Sequence, residues 1–182
     1  MNVSSTRLEG PLVIEPRVFA DERGFFLETY RAADYAALGI TTSFIQDNHS
    51  RSSRGTIRAF HFQADPGQAK LVRVARGRAG DVVVDIRRSS PTFGEWEAFE
   101  LDDERHLQLY VPVGFAHGFC AMTDVVDFIY KVGSYYDSST ERGIAWDDPA
   151  LAIPWPVDEP TVSPRDSSNP TLAKIMDALP AW

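Results

Sequence analysis

The chain contains a single cysteine, Cys120, in 182 residues. One thiol excludes an intrachain disulfide and any metal cluster held by several thiolates. Placed within Gly118-Phe119-Cys120-Ala121-Met122, it is expected to pack as a small core hydrophobe. Long apolar runs are missing too, and nothing approaches the roughly 20 residues that a membrane helix needs. The segment Met1 to Arg7 lacks the apolar stretch of a secretion signal, so the chain reads as soluble and cytoplasmic. Positive charge is scarce: 18 Lys and Arg stand against 26 Asp and Glu, a formal net charge of -8. Nucleic acids and anionic membrane surfaces repel such a protein at long range, although a few converging arginines can still hold one small anion. The Gly-x-Ser-x-Gly elbow, the P-loop and the dinucleotide fingerprint are all absent, as are His-x-His and His-x-x-x-His.

What the chain does have is many short β-branched or aromatic runs separated by Gly, Pro, Asp and Ser. Strands are expected at Leu12–Ile14, Gly24–Tyr30, Ser43–Asn48, Thr56–Gln63, Ala69–Arg76, Gly80–Arg87, Trp96–Leu101, Gln108–Val113 and Val125–Val132. This spacing, without alternating long helices, predicts an all-β sandwich or barrel with short peripheral helices, in one domain spanning 1–182. The alanine-rich segment Arg31–Leu38, closed by Gly39, predicts a short helix. Leu172, Ile175, Met176 and Leu179 make an apolar stripe on a C-terminal helical tail over about 169–182. Trp155–Asp166 is proline-rich and reads as a loop. Along Asp81–Arg87, alternation places Asp81, Val83, Asp85 and Arg87 on one face and Val82, Val84 and Ile86 on the other. The acidic face suits either solvent or a polar cavity.

Four histidines could carry chemistry. His106, in the charged run Asp102 to Arg105, is expected to be solvated, and His49 is ambiguous. His61, between Phe60 and Phe62, and His117, between Ala116 and Gly118, lie in apolar settings. A histidine there must find a hydrogen-bond partner or lose its charge, and both conditions suit acid–base work. Each taken singly also fits an ordinary buried histidine. A metal site built from His61, His117 and Asp85 is an open alternative. Besides these, Arg23, Glu28, Arg58, Lys70, Tyr130 and Asp166 can handle protons or anions. Two opposed proton carriers with a lysine between them would meet the needs of epimerisation through an enolate.

The order and spacing of several segments strengthen this. They include Phe19 to Glu28, Phe44 to Ser50, Ile57 to Gln63, Gln68 to Val72, Asp81 to Arg87, Pro112 to Phe119, Asp147-Asp148-Pro149 and Ser163 to Asp166. Taken together, from about Leu12 to Pro170, the chain resembles the dTDP-4-dehydrorhamnose 3,5-epimerases. The resemblance implies a cupin-type jelly roll, no metal or coenzyme, and a dTDP-4-keto-6-deoxy sugar as substrate. It implies His61 as base, Asp166 as its partner, Tyr130 as the opposing acid, and Lys70 and His117 near the C4 oxygen. Arg58 would engage the substrate and its diphosphate. Arg23, Phe26, Glu28, Gln46, Asp47 and Asn48 would bind the nucleotide, Tyr136 would stack on thymine, and Glu141 and Arg165 would add ligand contacts. It also implies a homodimer in which N-terminal strands, about 1–50, are exchanged and contribute to the partner's nucleotide site.

One departure stands out. The family has Arg-Gly-Leu-His before the base, whereas this chain has Arg58-Ala59-Phe60-His61. A methyl group and a larger ring are expected to press on the ligand or on a neighbouring strand. Simple alternation also puts Arg58 and His61 on opposite faces, so a shared site requires a bulge or twist between them.

Overall fold

The computed structural model describes residues 1–182. Its strands are β1 (Asn2–Ser5), β2 (Leu12–Glu15), β3 (Val18–Asp21), β4 (Gly24–Leu27), β5 (Gln46–Ser52), β6 (Thr56–Gln63) and β7 (Lys70–Arg76). They continue as β8 (Arg78–Asp85), β9 (Trp96–Asp102), β10 (Gln108–Val111), β11 (Phe115–Ala121), β12 (Val126–Val132), β13 (Glu141–Gly143) and β14 (Thr161–Val162). The helices are short: α1 (Ala32–Ala37), α2 (Pro164–Ser167) and α3 (Leu172–Ile175). One sheet has the order β1-β2-β10-β7-β12-β5, and the other β13-β6-β11-β8-β9 with β14 added beside β6. This is the all-β sandwich expected from the strand spacing.

Alternation along the strands builds the layers. Val72 and Val74, Phe128, Leu109, Val83 and Phe119 meet between the two sheets in one buried cluster. The other face of the second sheet carries Ile57, Phe60, Val82, Val84 and Ile86, and the C-terminal segment covers it with Ile144, Leu151, Leu172 and Leu179. Strand β8 is therefore buried on both sides, not half-solvated. Of its carboxylates, Asp81 reaches His117, while Asp85 is spent on Arg87, Ser90 and Thr92. The outer face of the first sheet is covered by Tyr35 and Ile40 over Ile14 and Leu71.

Several sequence expectations need correction. Segment Phe115–Ala121 is a fully buried strand, and the segment read as a loop contains β14 and the start of α2. Of the C-terminal stripe, Leu172 and Leu179 are buried but Met176 is exposed, because the helix tightens into a 3-10 turn over Met176–Ala178. His106 is buried, not solvated. Its backbone adopts φ of 57°, and its ring sits 4.5 Å from that of Phe25.

The geometry before His61 places two functional side chains on one face. His61 pairs with His117, but Arg58 pairs with Phe119, so three residues of β6 span two of β11. This bulge absorbs the odd spacing and turns both Arg58 and His61 toward the interior. Ala59 and Phe60 point the other way into the covered core, where the Phe60 ring lies 5.6 Å from Trp155. The two departures from the family pattern therefore do not line the site. Gly118 accommodates the bulge: a side chain there would come within 2.3 Å of the Ala59 Cβ.

Candidate active site

A cavity of about 290 Å³ opens between the sheets, with His61, Lys70, His117, Tyr130, Arg58 and Asp166 in its walls. A second lobe of about 220 Å³ adjoins it, lined by Gln46, Asn48, Gln63, Gln68 and Tyr136. His61, Lys70, Tyr130 and Glu141 border both lobes. His61 stands on β6 of one sheet and Tyr130 on β12 of the other, so the two side chains occupy opposing walls.

The His61 ring is fixed by one carboxylate. Its Nε2 lies 2.8 Å from Asp166 Oδ1. Asp166 is buried on α2, which begins at Pro164 after its cap Ser163, and the Ser163 hydroxyl accepts from the Asp166 backbone N–H at 3.0 Å. Burial alone would raise the Asp166 carboxyl. The hydrogen bond and charge of His61, with help from the Ala59 backbone and Ser163, outweigh burial and hold it below the usual range. An ionised carboxylate only accepts, so Nε2 carries the proton and Nδ1 keeps its lone pair. That is the tautomer of a general base.

Lys70 is buried, and desolvation brings its ammonium down to about 8 despite the carboxylates of Glu141 and Asp81. Its Nζ donates to the His61 carbonyl at 3.2 Å. His117 Nε2 contacts both oxygens of buried Asp81, at 2.8 and 3.0 Å, and burial pushes its pKa down. Burial raises the Tyr130 phenol, reinforced by Glu141, so it holds its proton at neutral pH. Arg58 has its Nε on the Ser52 hydroxyl at 3.1 Å. Arg165 pairs with Glu141 at 2.6 Å beside the cavity. Tyr136 is half-exposed, and its backbone N–H donates to Gln46 Oε1 at 3.1 Å.

Four of the expected residues do not join the cavity. Asp47 faces outward from β5 and pairs with Lys131 at 2.7 Å, because strand alternation sends Gln46 and Asn48 inward and Asp47 out. Arg23 and Phe26 lie on the β3–β4 hairpin, which pairs with no other strand of the chain, and Glu28 follows it, paired with Arg31. Arg23 is bonded to Asp21, and Phe26 is 65% exposed. The metal alternative is not assembled either, since Asp85 is held by Arg87, Ser90 and Thr92 away from His61 and His117. Ser50, Phe119, Phe128 and Ser163 also line the site and escaped the sequence reading. Parity could have found Ser50, which follows Gln46 and Asn48 on one face of β5.

The chain has relatives along nearly its whole length. A dTDP-4-dehydrorhamnose 3,5-epimerase of Shigella flexneri is 47% identical over 180 residues, covering 98% of each chain. The crystal structure of a dTDP-6-deoxy-D-glucose-3,5-epimerase from Legionella pneumophila, in complex with dTDP-4-keto-L-rhamnose, superposes with a TM-score of 0.96 at 43% identity. It covers 100% of this chain and 98% of that one. A dTDP-4-dehydrorhamnose 3-epimerase of Streptomyces niveus is 43% identical, over 100% of this chain and 90% of its own. The sequence model of the dTDP-4-dehydrorhamnose 3,5-epimerases matches residues 5–174, and the chain belongs to that family.

Proposed function

We propose that the chain converts dTDP-4-dehydro-6-deoxy-D-glucose into dTDP-4-dehydro-L-rhamnose by inverting C3 and C5. The observation that carries this reading is the His61–Asp166 pair standing across one cavity from Tyr130, with Lys70 beside it. His61 Nδ1 removes the proton from a carbon next to the C4 carbonyl, and the electron pair moves onto O4. The Lys70 ammonium stabilises that enolate, and His117 borders the same oxygen. Tyr130, kept protonated by burial, returns a proton to the same carbon from the opposite face. The carbon is inverted; His61 gives its proton to solvent and Tyr130 regains one from it, and a second round treats the other carbon. Only protons move, so the reaction calls for no electron carrier. Arg58 engages the diphosphate, Gln46, Asn48 and Tyr136 hold the nucleotide in the adjoining lobe, and the Glu141–Arg165 pair adds ligand contacts.

Incubation with this keto-sugar in deuterated water is expected to place deuterium at both C3 and C5, read by NMR of the product. No exchange at either carbon would overturn the reading. The similarity to the Streptomyces niveus 3-epimerase supports a second version, inversion at one carbon only, which exchange at C3 alone would establish.

We further propose that the enzyme works in the cytoplasm as a homodimer whose β3–β4 hairpins cross into the partner's site. The exposed Phe19, Phe25 and Phe26 rings, on a hairpin unpaired within its own chain, support this. In that arrangement Arg23, Phe26 and Glu28 complete the nucleotide site of the other copy. A subunit-mixing experiment checks it. His61→Ala and a combined Arg23→Ala/Phe26→Ala variant, each nearly inactive alone, are unfolded and refolded together. Random pairing should restore about a quarter of wild-type sites, because half the dimers hold one site with both parts intact. A mixture no more active than its components would place the hairpin's role within its own chain.

A further inference from the structure

The buried hydroxyl of Ser50 has no use within the protein. Three serines on or beside the cavity wall differ sharply in this respect. Ser52 accepts from Arg58 Nε at 3.1 Å and so orients that guanidinium. Ser163 caps the helix that carries Asp166, its hydroxyl 3.0 Å from the Asp166 N–H. Ser50 lies between Asn48 and Ser52 on the inward face of β5, and its Oγ is buried without any hydrogen-bond partner. Buried polar atoms are nearly always paired, and an unpaired one costs stability, so one retained in a binding cavity points to a ligand. The other buried side-chain atoms lacking a bond are accounted for elsewhere. Glu141 Oε2 lies 2.6 Å from Arg165, and Asn169 Nδ2 packs against Gly143 rather than the cavity.

The placement of Ser50 says which part of a ligand it meets. It stands opposite Phe128 in the β5–β12 ladder, one inward position from the Asn48–Tyr130 pair. It lines the lobe holding Arg58, His117, Phe119 and Phe128, and it is absent from the lobe of Gln46 and Tyr136. Its neighbours there are the Arg58 guanidinium, held through Nε by Ser52, and two stacked rings, Phe119 and Phe128, 4.0 Å apart. Beside those rings an unpaired hydroxyl is placed to meet one oxygen of the bound molecule.

We propose that Ser50 is a substrate-binding residue that exchanges a hydrogen bond with a hydroxyl of the sugar ring. This rests on the reading of the site as one for a dTDP-linked sugar. It makes Ser50 a determinant of which sugar is accepted, and it makes the hydroxyl a cost to the empty enzyme that ligand binding removes.

The test compares wild type, Ser50→Ala and Ser50→Thr. Turnover of the dTDP-keto-sugar, titration with dTDP-glucose and with dTDP, and thermal melting are measured for each. Ser50→Ala should lose about tenfold in kcat/KM and in affinity for dTDP-glucose, while dTDP affinity stays within about twofold. Its ligand-free melting temperature should equal or exceed that of wild type, because removing an unpaired buried hydroxyl costs the fold nothing. Ser50→Thr, which keeps the hydroxyl, should retain more of the sugar affinity than alanine. Unchanged dTDP-glucose affinity in Ser50→Ala, a parallel loss of dTDP affinity, or equal losses in Ala and Thr would each overturn the proposal. Because dTDP-glucose binding is read separately, absence of turnover in wild type would count against the epimerase reading and leave the Ser50 result intact.

Discussion

Replacing His61 with alanine is expected to abolish deuterium incorporation, lowering kcat by about a thousandfold or more, as loss of a positioned general base does. Binding of dTDP should stay within a few-fold of wild type, since Gln46, Asn48 and Tyr136, which line the adjoining lobe and are proposed to hold the nucleotide, are unchanged. The size of the loss follows from the geometry. His61 combines a ring nitrogen free to accept a proton with a carboxylate, Asp166 at 2.8 Å, that fixes the opposite nitrogen, and its side chain is 26% exposed against 8% for His117. The cavity's other histidine, His117, is buried against Asp81 and cannot replace it from the neighbouring strand. Because Asp166 acts through His61, adding Asp166→Asn to His61→Ala should cost little more, and the two losses should not sum. Near-normal exchange in His61→Ala would move the base to another residue.

The strand pattern of the sequence located most of the fold. Thr56–Gln63 was placed to the residue, and β7, β9, β10 and β12 to within two. β11 was missed because Gly118 and the proline–glycine approach to it argue against a strand. The reason for that glycine lies on another strand, at the bulge formed by Ala59, and no local pattern carries such a cross-strand contact. The bulge itself was legible, as a conflict between simple alternation and a shared role for Arg58 and His61. The fate of Ala59 and Phe60 was not. A bulge sends two successive residues to the same side, and here that side is the covered core. The charged run around His106 hides its burial, and its ring neighbour Phe25, 4.5 Å away, is distant in sequence. Asp47 shows the opposite failing: alternation alone would have separated it from Gln46 and Asn48, but the family's contiguous motif grouped all three.

Lys70→Met is expected to lower kcat by about a hundredfold or more while making the protein more stable, a pairing of effects that a merely structural lysine would not produce. The activity loss comes from removing the only ammonium among the cavity walls, the group proposed to stabilise the developing O4 charge. The gain in stability comes from the same burial. Desolvation lowers Lys70 from 10.5 to about 8, a difference worth about 3 kcal/mol against the charged folded state. Below pH 8 both folded and unfolded chains carry the proton, so the full cost is present. Between pH 8 and 10.5 the unfolded chain binds more protons than the folded one, and stability therefore rises with pH until the cost is gone. The methionine variant lacks this contribution. Its advantage in thermal melting should be largest below pH 8 and should shrink as pH rises toward 10.5. Activity should show the complementary limb: kcat/KM of wild type falls as pH rises through about 8, where Lys70 loses its proton in the free enzyme. A wild-type profile flat to pH 9.5, or a methionine variant less stable than wild type at pH 7, would show that Lys70 is held charged by its carboxylate neighbours. The enolate would then be stabilised by a permanent ammonium rather than by one poised near neutrality.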